Sequence, residues 1–446
     1  MNAFLNRIWG LRSGELPIVL ILGVALLGNS LAQKIAELAS ISNFLTDVGV
    51  PQFLLLLIVS SVISIGMTGA QSLLVDRFNR ITLLNGICFG FGLSFIFLRC
   101  LFIFNAPNWL NYSLFYLLAE QQFIFFPLAF WLLANDLFEP QQSQRLFSLI
   151  SVWGLVGNVL GIGIAALSPS VLQRLDAKPE ELLILNALIY LAICSLLQVG
   201  LQKVQLRKTQ VKIETLKETL MEGWEFIREV PAFRYLTFSM LGVMVCENII
   251  DFQFLTTSEL TFSDSNTYQT FLSLFTLTRV VSYLTIQSFF TQRLITKLNL
   301  KNAFLIAPLG AVAAATCVIL NPSLWGSAGA VALQKLPQYT VDETARKSFQ
   351  GFVPEERRGR VSLFMDSYLV AGSAIIAALI TGIILLLGGF YDIPNYFYIY
   401  LGAGALAALI AVAAIIRMRT VYDTSLLNWH LKRRQRSKSI LDKLDF

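Results

Sequence analysis

QKVQLRKTQVKIETLKETLMEGWEFIREVP, from Gln202 to Pro231, is the longest polar stretch between apolar runs in this chain. It opens with Lys203, Arg207, Lys208 and Lys212, then turns amphipathic. Leu216, Leu220, Trp224 and Ile227 recur at helical spacing, which predicts a surface helix. Pro231, with no backbone N–H, separates that helix from the next apolar run. Two readings are open: a solvated linker, or an interfacial helix tying together what lies on either side. The second is preferred.

On each side lie six apolar runs. A helix crossing ~30 Å of hydrocarbon needs about 20 apolar residues. The runs before the polar stretch are 15–33, 50–74, 81–104, 111–134, 146–168 and 182–201. Those after it are 232–257, 267–290, 302–320, 323–341, 362–388 and 394–416. The expected organisation is a six-helix bundle (1–201), a linker (202–231), a second six-helix bundle (232–417) and a basic tail (418–446). The fold class is all-α, a polytopic membrane protein of twelve transmembrane helices.

Composition agrees. The 446 residues are 55% hydrophobic and 14% charged, with mean hydropathy +0.65. Soluble chains carry about 25% charged residues, and a soluble surface this size could not cover so much apolar area. The net charge of +6 does not signal nucleic acid, because the basic residues sit in short loops between apolar runs.

Those loops set the topology. With the N-terminus cytoplasmic, the inside segments hold Arg7, Arg12, Arg77, Arg80, Arg145, the linker cations, Arg293, Lys297, Lys301, Arg346, Lys347, Arg357, Arg358, Arg360 and the basic tail. The outside segments hold Lys34, Arg174 and Lys178. Both termini are therefore expected inside, with an even number of spans. The first run has a short basic lead, as a cleaved signal would. Cleavage would spoil the loop-charge pattern, so the run is kept as a helix. No Ser/Arg-rich transit segment precedes it, which favours a bacterial plasma membrane. Cys88, Cys100, Cys194, Cys246 and Cys317 fall in apolar runs and read as packing residues. His430, in the tail, reads as a surface side chain.

The halves echo each other. DRFNR (Asp76 to Arg80) follows the second run and TKLNLK (Thr296 to Lys301) the eighth. LFEPQQSQRLFSL (Leu137 to Leu149) follows the fourth and FVPEERRGRVSLF (Phe352 to Phe364) the tenth. Parallel repeats of this kind predict a binding site at mid-depth.

At DRFNR the chain resembles the major facilitator superfamily, whose loop between spans two and three carries Gly-x-x-x-Asp-Arg-x-Gly-Arg. Asp76, Arg77 and Arg80 match, while Ser72 and Asn79 replace the two glycines. The resemblance implies that Asp76, Arg77 and Arg80 form a conformational latch. It also implies that spans one, four, seven and ten line the central cavity. Two segments are similar to the nucleotide (ATP/ADP) transporter-like branch. They are FWLLANDLFEPQQSQRLFSLISVWGLVGNVLGIGIA (Phe130 to Ala165) and DETARKSFQGFVPEERRGRVSLFMDSYLVAGSA (Asp342 to Ala374). Trp131, Asn135, Arg145, Phe147, Gly154, Gly157, Asn158, Met365 and Asp366 carry it.

A charge at bilayer mid-depth costs at least about 2.5–3.5 kcal/mol, so each needs a reason. At 1.5 Å per residue, the mid-depth polar residues are Asn29, Glu120, Asn158, Glu247, Arg279 and Lys335, with Asp251 one turn beyond Glu247. Arg279 and Lys335 suit an anionic substrate, with Asn29, Asn158 and Gln334 as further contacts. Glu120, Glu247 and Asp251 suit proton coupling or an ion-pair network with those cations. The alternative is that all are satisfied interior pairs. Arg99, near a span end, is expected to snorkel. Gly154, Gly157, Gly161 and Gly163 read first as close helix packing, and Pro127 and Pro308 as kinks.

The leading expectation is a secondary transporter of a small organic anion, a nucleotide or phosphorylated metabolite, by alternating access. A lipid-handling or receptor-like role on the same fold is the alternative. An enzyme is not expected: the chain has no Gly-x-Ser-x-Gly, Walker loop or His-Glu-x-x-His. No cofactor and no metal are expected; the partners are the anionic substrate and the lipid bilayer, not nucleic acid.

Overall fold

The computed structural model describes residues 15–75, 79–138, 140–202, 216–353 and 355–441. Every regular element among them is helical. Lipid offers no partner for a backbone N–H or C=O, so apolar runs of this length must close their hydrogen bonds internally.

The first six helices are α1 (Leu16–Asp47), α2 (Val50–Val75), α3 (Arg80–Ile103), α4 (Asn108–Leu137), α5 (Pro140–Arg174) and α6 (Glu181–Leu201). The linker holds α7 (Leu216–Glu229), followed by α8 (Pro231–Thr261), α9 (Ser265–Ile286) and α10 (Gln292–Leu298). Then come α11 (Leu300–Ala303), α12 (Ile306–Leu320), α13 (Leu324–Pro337) and α14 (Glu343–Gln350). The last are α15 (Glu355–Leu363), α16 (Leu369–Phe390) and α17 (Phe397–Leu441). Three π-turns keep the chain helical: Gln287–Thr291 joins α9 to α10, Gln338–Asp342 joins α13 to α14, and Phe364–Tyr368 joins α15 to α16.

Ten helices among the described residues are long and apolar enough to cross a membrane. The remaining two expected spans, the eighth and tenth, are the continuous stretches α9–α10 and α13–α14, each interrupted by a π-turn. The chain is an all-helical, polytopic membrane protein.

The chain forms two compact units. The first holds Met1–Glu214 with Ser258–Val280, the second Thr215–Thr257 with Val281–Phe446. In the first, α5 lies against α1. A Cβ at Gly157 would meet the Leu27 carbonyl oxygen at 2.3 Å, and one at Gly161 the Leu31 oxygen at 2.7 Å. Bare backbone is what lets the helices approach. Gly154 meets the Leu26 side chain, but Gly163 faces open space, so three of the four span-five glycines pack. Tyr190 of α6 stacks on Phe95 of α3. Gln269 of α9 donates to the Ala165 carbonyl and to Ser168 of α5 at 2.9 and 2.8 Å.

In the second unit an apolar cluster gathers Phe226 and Ile227 of α7, Phe233 and Leu236 of α8, Phe349 of α14 and Val361 of α15. The Phe233 and Phe349 rings stack at 4.4 Å. Thus α7 is amphipathic as expected, and Phe226 and Ile227 are its buried side. Trp224 stays half exposed beside Phe364. The side chains of Leu216 and Leu220 lie outside the described residues.

Two local expectations change. Helix α1 runs on to Asp47 because Ile35, Ala36, Leu38, Ala39 and Leu45 continue its buried face. Pro308 stands in the first turn of α12, where no intrahelical N–H is lost, so it starts the helix rather than kinking it. Arg99, near the end of α3, reaches the first residue of α6, its Nη2 2.6 Å from Glu181 Oε1.

Candidate substrate site

Helix α8 sets Glu247 and Asp251 one turn apart on one face, and the end of α13 brings Lys335 to them. Lys335 Nζ lies 2.6 Å from Asp251 Oδ2 and 3.3 Å from Glu247 Oε1. The π-turn that follows adds an extra residue to the helical turn and delivers two more donors to Glu247. Gln338 Nε2 donates to its Oε2 at 2.6 Å, and the Tyr339 hydroxyl to its Oε1 at 3.0 Å. Behind them, Gln334 Nε2 donates to Gln338 Oε1 at 3.2 Å and to the Val243 carbonyl at 3.1 Å. Further along α8, Gln253 accepts from the Tyr400 hydroxyl.

This cluster meets the cost of charge in hydrocarbon by pairing. It does so with unequal partners: one ammonium serves two carboxylates. Glu247 does not depend on Lys335 alone, because two neutral donors also hold it.

The first unit holds a second cluster. Glu37 Oε2 accepts from Lys34 Nζ at 2.5 Å and from Gln33 Nε2 at 2.7 Å, all within α1. Glu120 of α4 shares a hydrogen bond with Tyr116 and lies within the field of Glu37 and Lys34. Arg279 of α9 acts electrostatically on Glu37. Its guanidinium carbon stands 5.9 Å from the Phe275 ring centroid, and its Nε has no hydrogen-bond partner among the described residues. The structure therefore groups Glu247, Asp251, Lys335 and Gln334 in one cluster and sets Glu120 near the Lys34–Glu37 pair of the other.

Asn29 and Asn158 belong to neither set of bonds. Asn29 is 3% exposed and accepts from the buried Tyr190 hydroxyl at 2.8 Å. Asn158 is half-buried on α5. Lys34, Glu37 and Tyr339 were missed. Ending span one at residue 33 placed Lys34 in a loop. The apolar periodicity running on through Ile35 and Leu38 was the available signal.

At the DRFNR loop, Asp76 and Arg77 lie outside the described residues. Arg80 is buried and pairs with Asp136 of α4 at 3.2 Å, an ion pair whose geometry falls short of a hydrogen bond. Asn79 caps α3, its Oδ1 accepting from Ile81 N at 3.1 Å. Nearby, Arg145 Nη2 binds both oxygens of Glu15 at 2.8 and 2.9 Å. In the second unit Asp366 accepts from Arg346 and Lys347. Among the described residues no group of three His, Cys, Asp or Glu could hold a metal ion.

A bacterial homologue of the iron transporter ferroportin, solved in the inward-facing state, is similar in fold. Its TM-score is 0.62 at 16% identity, over 92% of this chain and 100% of that one. A point mutant of the nucleoside transporter NupG is similar at TM-score 0.60 and 14% identity, over 89% and 99%. A bacterial homologue of the human lysosomal transporter Spinster is similar at 0.57 and 14%, over 93% and 96%. No curated protein matches the sequence. The fold is that of the major facilitator transporters, and the protein is an integral membrane transporter, not an enzyme. The chain belongs to the TLC ATP/ADP transporter family, whose sequence model matches residues 98–323.

Proposed function

We propose that this transporter carries a small organic anion, a nucleotide or another phosphorylated metabolite, by alternating access of two six-helix halves, 1–201 and 232–417. One observation carries the reading. In each unit a lysine rests on a glutamate that a glutamine amide also holds: Lys34, Glu37 and Gln33 in one, Lys335, Glu247 and Gln338 in the other. A phosphate oxygen arriving at the lysine competes with the carboxylate, and the glutamine keeps the displaced carboxylate hydrogen-bonded. Arg279 adds a cation able to fork two phosphate oxygens. Substrate contact is accordingly proposed for Arg279 and Lys335, with Lys34 added. Asn29, Asn158 and Gln334 support them. Glu120, Glu247 and Asp251 are the proposed ion-pair and proton-coupling carboxylates. Asp76, Arg77 and Arg80 are the proposed latch. The proposed location is a bacterial plasma membrane with both termini cytoplasmic. The family's description, an ATP/ADP transporter, supports the nucleotide reading.

The test is counterflow in proteoliposomes with labelled nucleotides, sugar phosphates and carboxylates. Nucleotide or sugar phosphate uptake is expected, and Lys335→Ala and Arg279→Ala should each abolish it while the protein still inserts. Normal uptake by both variants would overturn the anion-site assignment.

A further inference from the structure

Tyr339 is 42% exposed, although Glu247 and Gln338, to which its cluster ties it, are each 7% exposed. Its hydroxyl is turned inward onto Glu247 at 3.0 Å. A tyrosine placed for lipid would direct that polar tip toward the headgroups. Here the tip is buried and the ring is open. The ring is also held in place: the hydroxyl fixes its edge, and Tyr283 of α9 stands against it with ring centroids 5.9 Å apart and planes 31° from parallel. Lys335 lies one turn back along the same helix, bridging Glu247 and Asp251. Gln338 and Tyr339, the first two residues of the π-turn, both donate to the carboxylate that pairs with Lys335.

A cation with an open, clamped aromatic face one turn away fits a ligand that is anionic at one end and flat and aromatic at the other. We propose that the Tyr339 ring, backed by Tyr283, is the seat for the aromatic base of a substrate whose phosphate end goes to Lys335. This rests on the anion-transport reading above and assigns, within it, the residue that holds the base. Stacking on a ring is tolerant of which base is offered, so the seat selects nucleotides over base-free phosphates without choosing strongly among them.

The full-length protein in detergent is titrated with ATP, ADP, ribose 5-phosphate and inorganic pyrophosphate, with thermal shift as the readout. Tyr339→Leu is expected to weaken ATP by about 5- to 100-fold, the range for losing one base–aromatic stack. Pyrophosphate binding should be unchanged. Tyr339→Phe keeps the ring but not the bond to Glu247, and should retain ATP binding. Equal weakening of ATP and pyrophosphate by Tyr339→Leu would show a role through Glu247 and Lys335 alone and overturn the seat. So would an unchanged ATP affinity. Wild-type protein binding pyrophosphate as tightly as ATP would overturn the seat while leaving the anion reading intact. A wild-type response to none of the four would end both.

Discussion

Gly157 and Leu27 are in near contact through bare backbone: a methyl group on Gly157 would stand 2.3 Å from the Leu27 carbonyl oxygen. That oxygen belongs to α1 and cannot swing aside as a side chain could. Gly157→Ala should therefore force α5 away from α1 and destabilise the protein by about 1–3 kcal/mol, the usual cost of overpacking. Gly163→Ala, two residues past Gly161 and facing open space, should stay within about 0.5 kcal/mol. Melting temperatures of the two variants in the same detergent decide this. Equal melting would mean that the helices do not touch at Gly157.

Arg80 and Asp136 form a pair with side chains 11% and 5% exposed. Removing one partner leaves the other charge buried, so Arg80→Gln alone should cost about 3 kcal/mol. Arg80→Gln combined with Asp136→Asn should recover part of that loss, because neither charge is then stranded. A double-mutant cycle on denaturation in detergent measures the coupling. Additive single effects would show the pair to be incidental.

Asp264 caps α9. Its Oδ2 accepts from the Thr267 backbone N–H at 2.9 Å and from the Thr267 hydroxyl at 2.8 Å. These bonds hold its carboxyl below the ordinary aspartate value of 3.8. A carboxyl depressed on folding stabilises above its unfolded value, and that stability is lost as pH falls through the folded value. Between pH 7 and 5 the cap should contribute fully; below about pH 4 it should fade. Asp264→Ala should cost about 1 kcal/mol at neutral pH. The gap to wild type should narrow in acid, as read by melting curves from pH 7 to 3. A gap that widens in acid would contradict the sign.

Much of the architecture was legible from one dimension. Membrane-length helices and the amphipathic character of α7 follow from hydrophobicity and its period. The glycines of span five signalled close packing, although Gly163 shows that a glycine's presence does not say which face it takes. Glu247, Asp251 and Lys335 stood out because charge inside an apolar run is costly wherever it occurs. Lys34 and Glu37 did not, because their run looked finished at residue 33. Tyr339 was invisible for another reason: an aromatic in a span is ordinary until its exposure and its neighbour are known.

The amino-acid order by itself determined that this chain is a bundle of membrane helices with charges buried in it, since lipid leaves an apolar chain only the helix to satisfy its backbone. It could not determine which charges meet. Helical period orders side chains around one axis but says nothing of how that axis is turned toward its neighbours. A π-turn shifts the phase again partway along. Only the tertiary structure set Lys335 between Glu247 and Asp251, which lie far from it in the chain, and turned Tyr339 onto the same carboxylate.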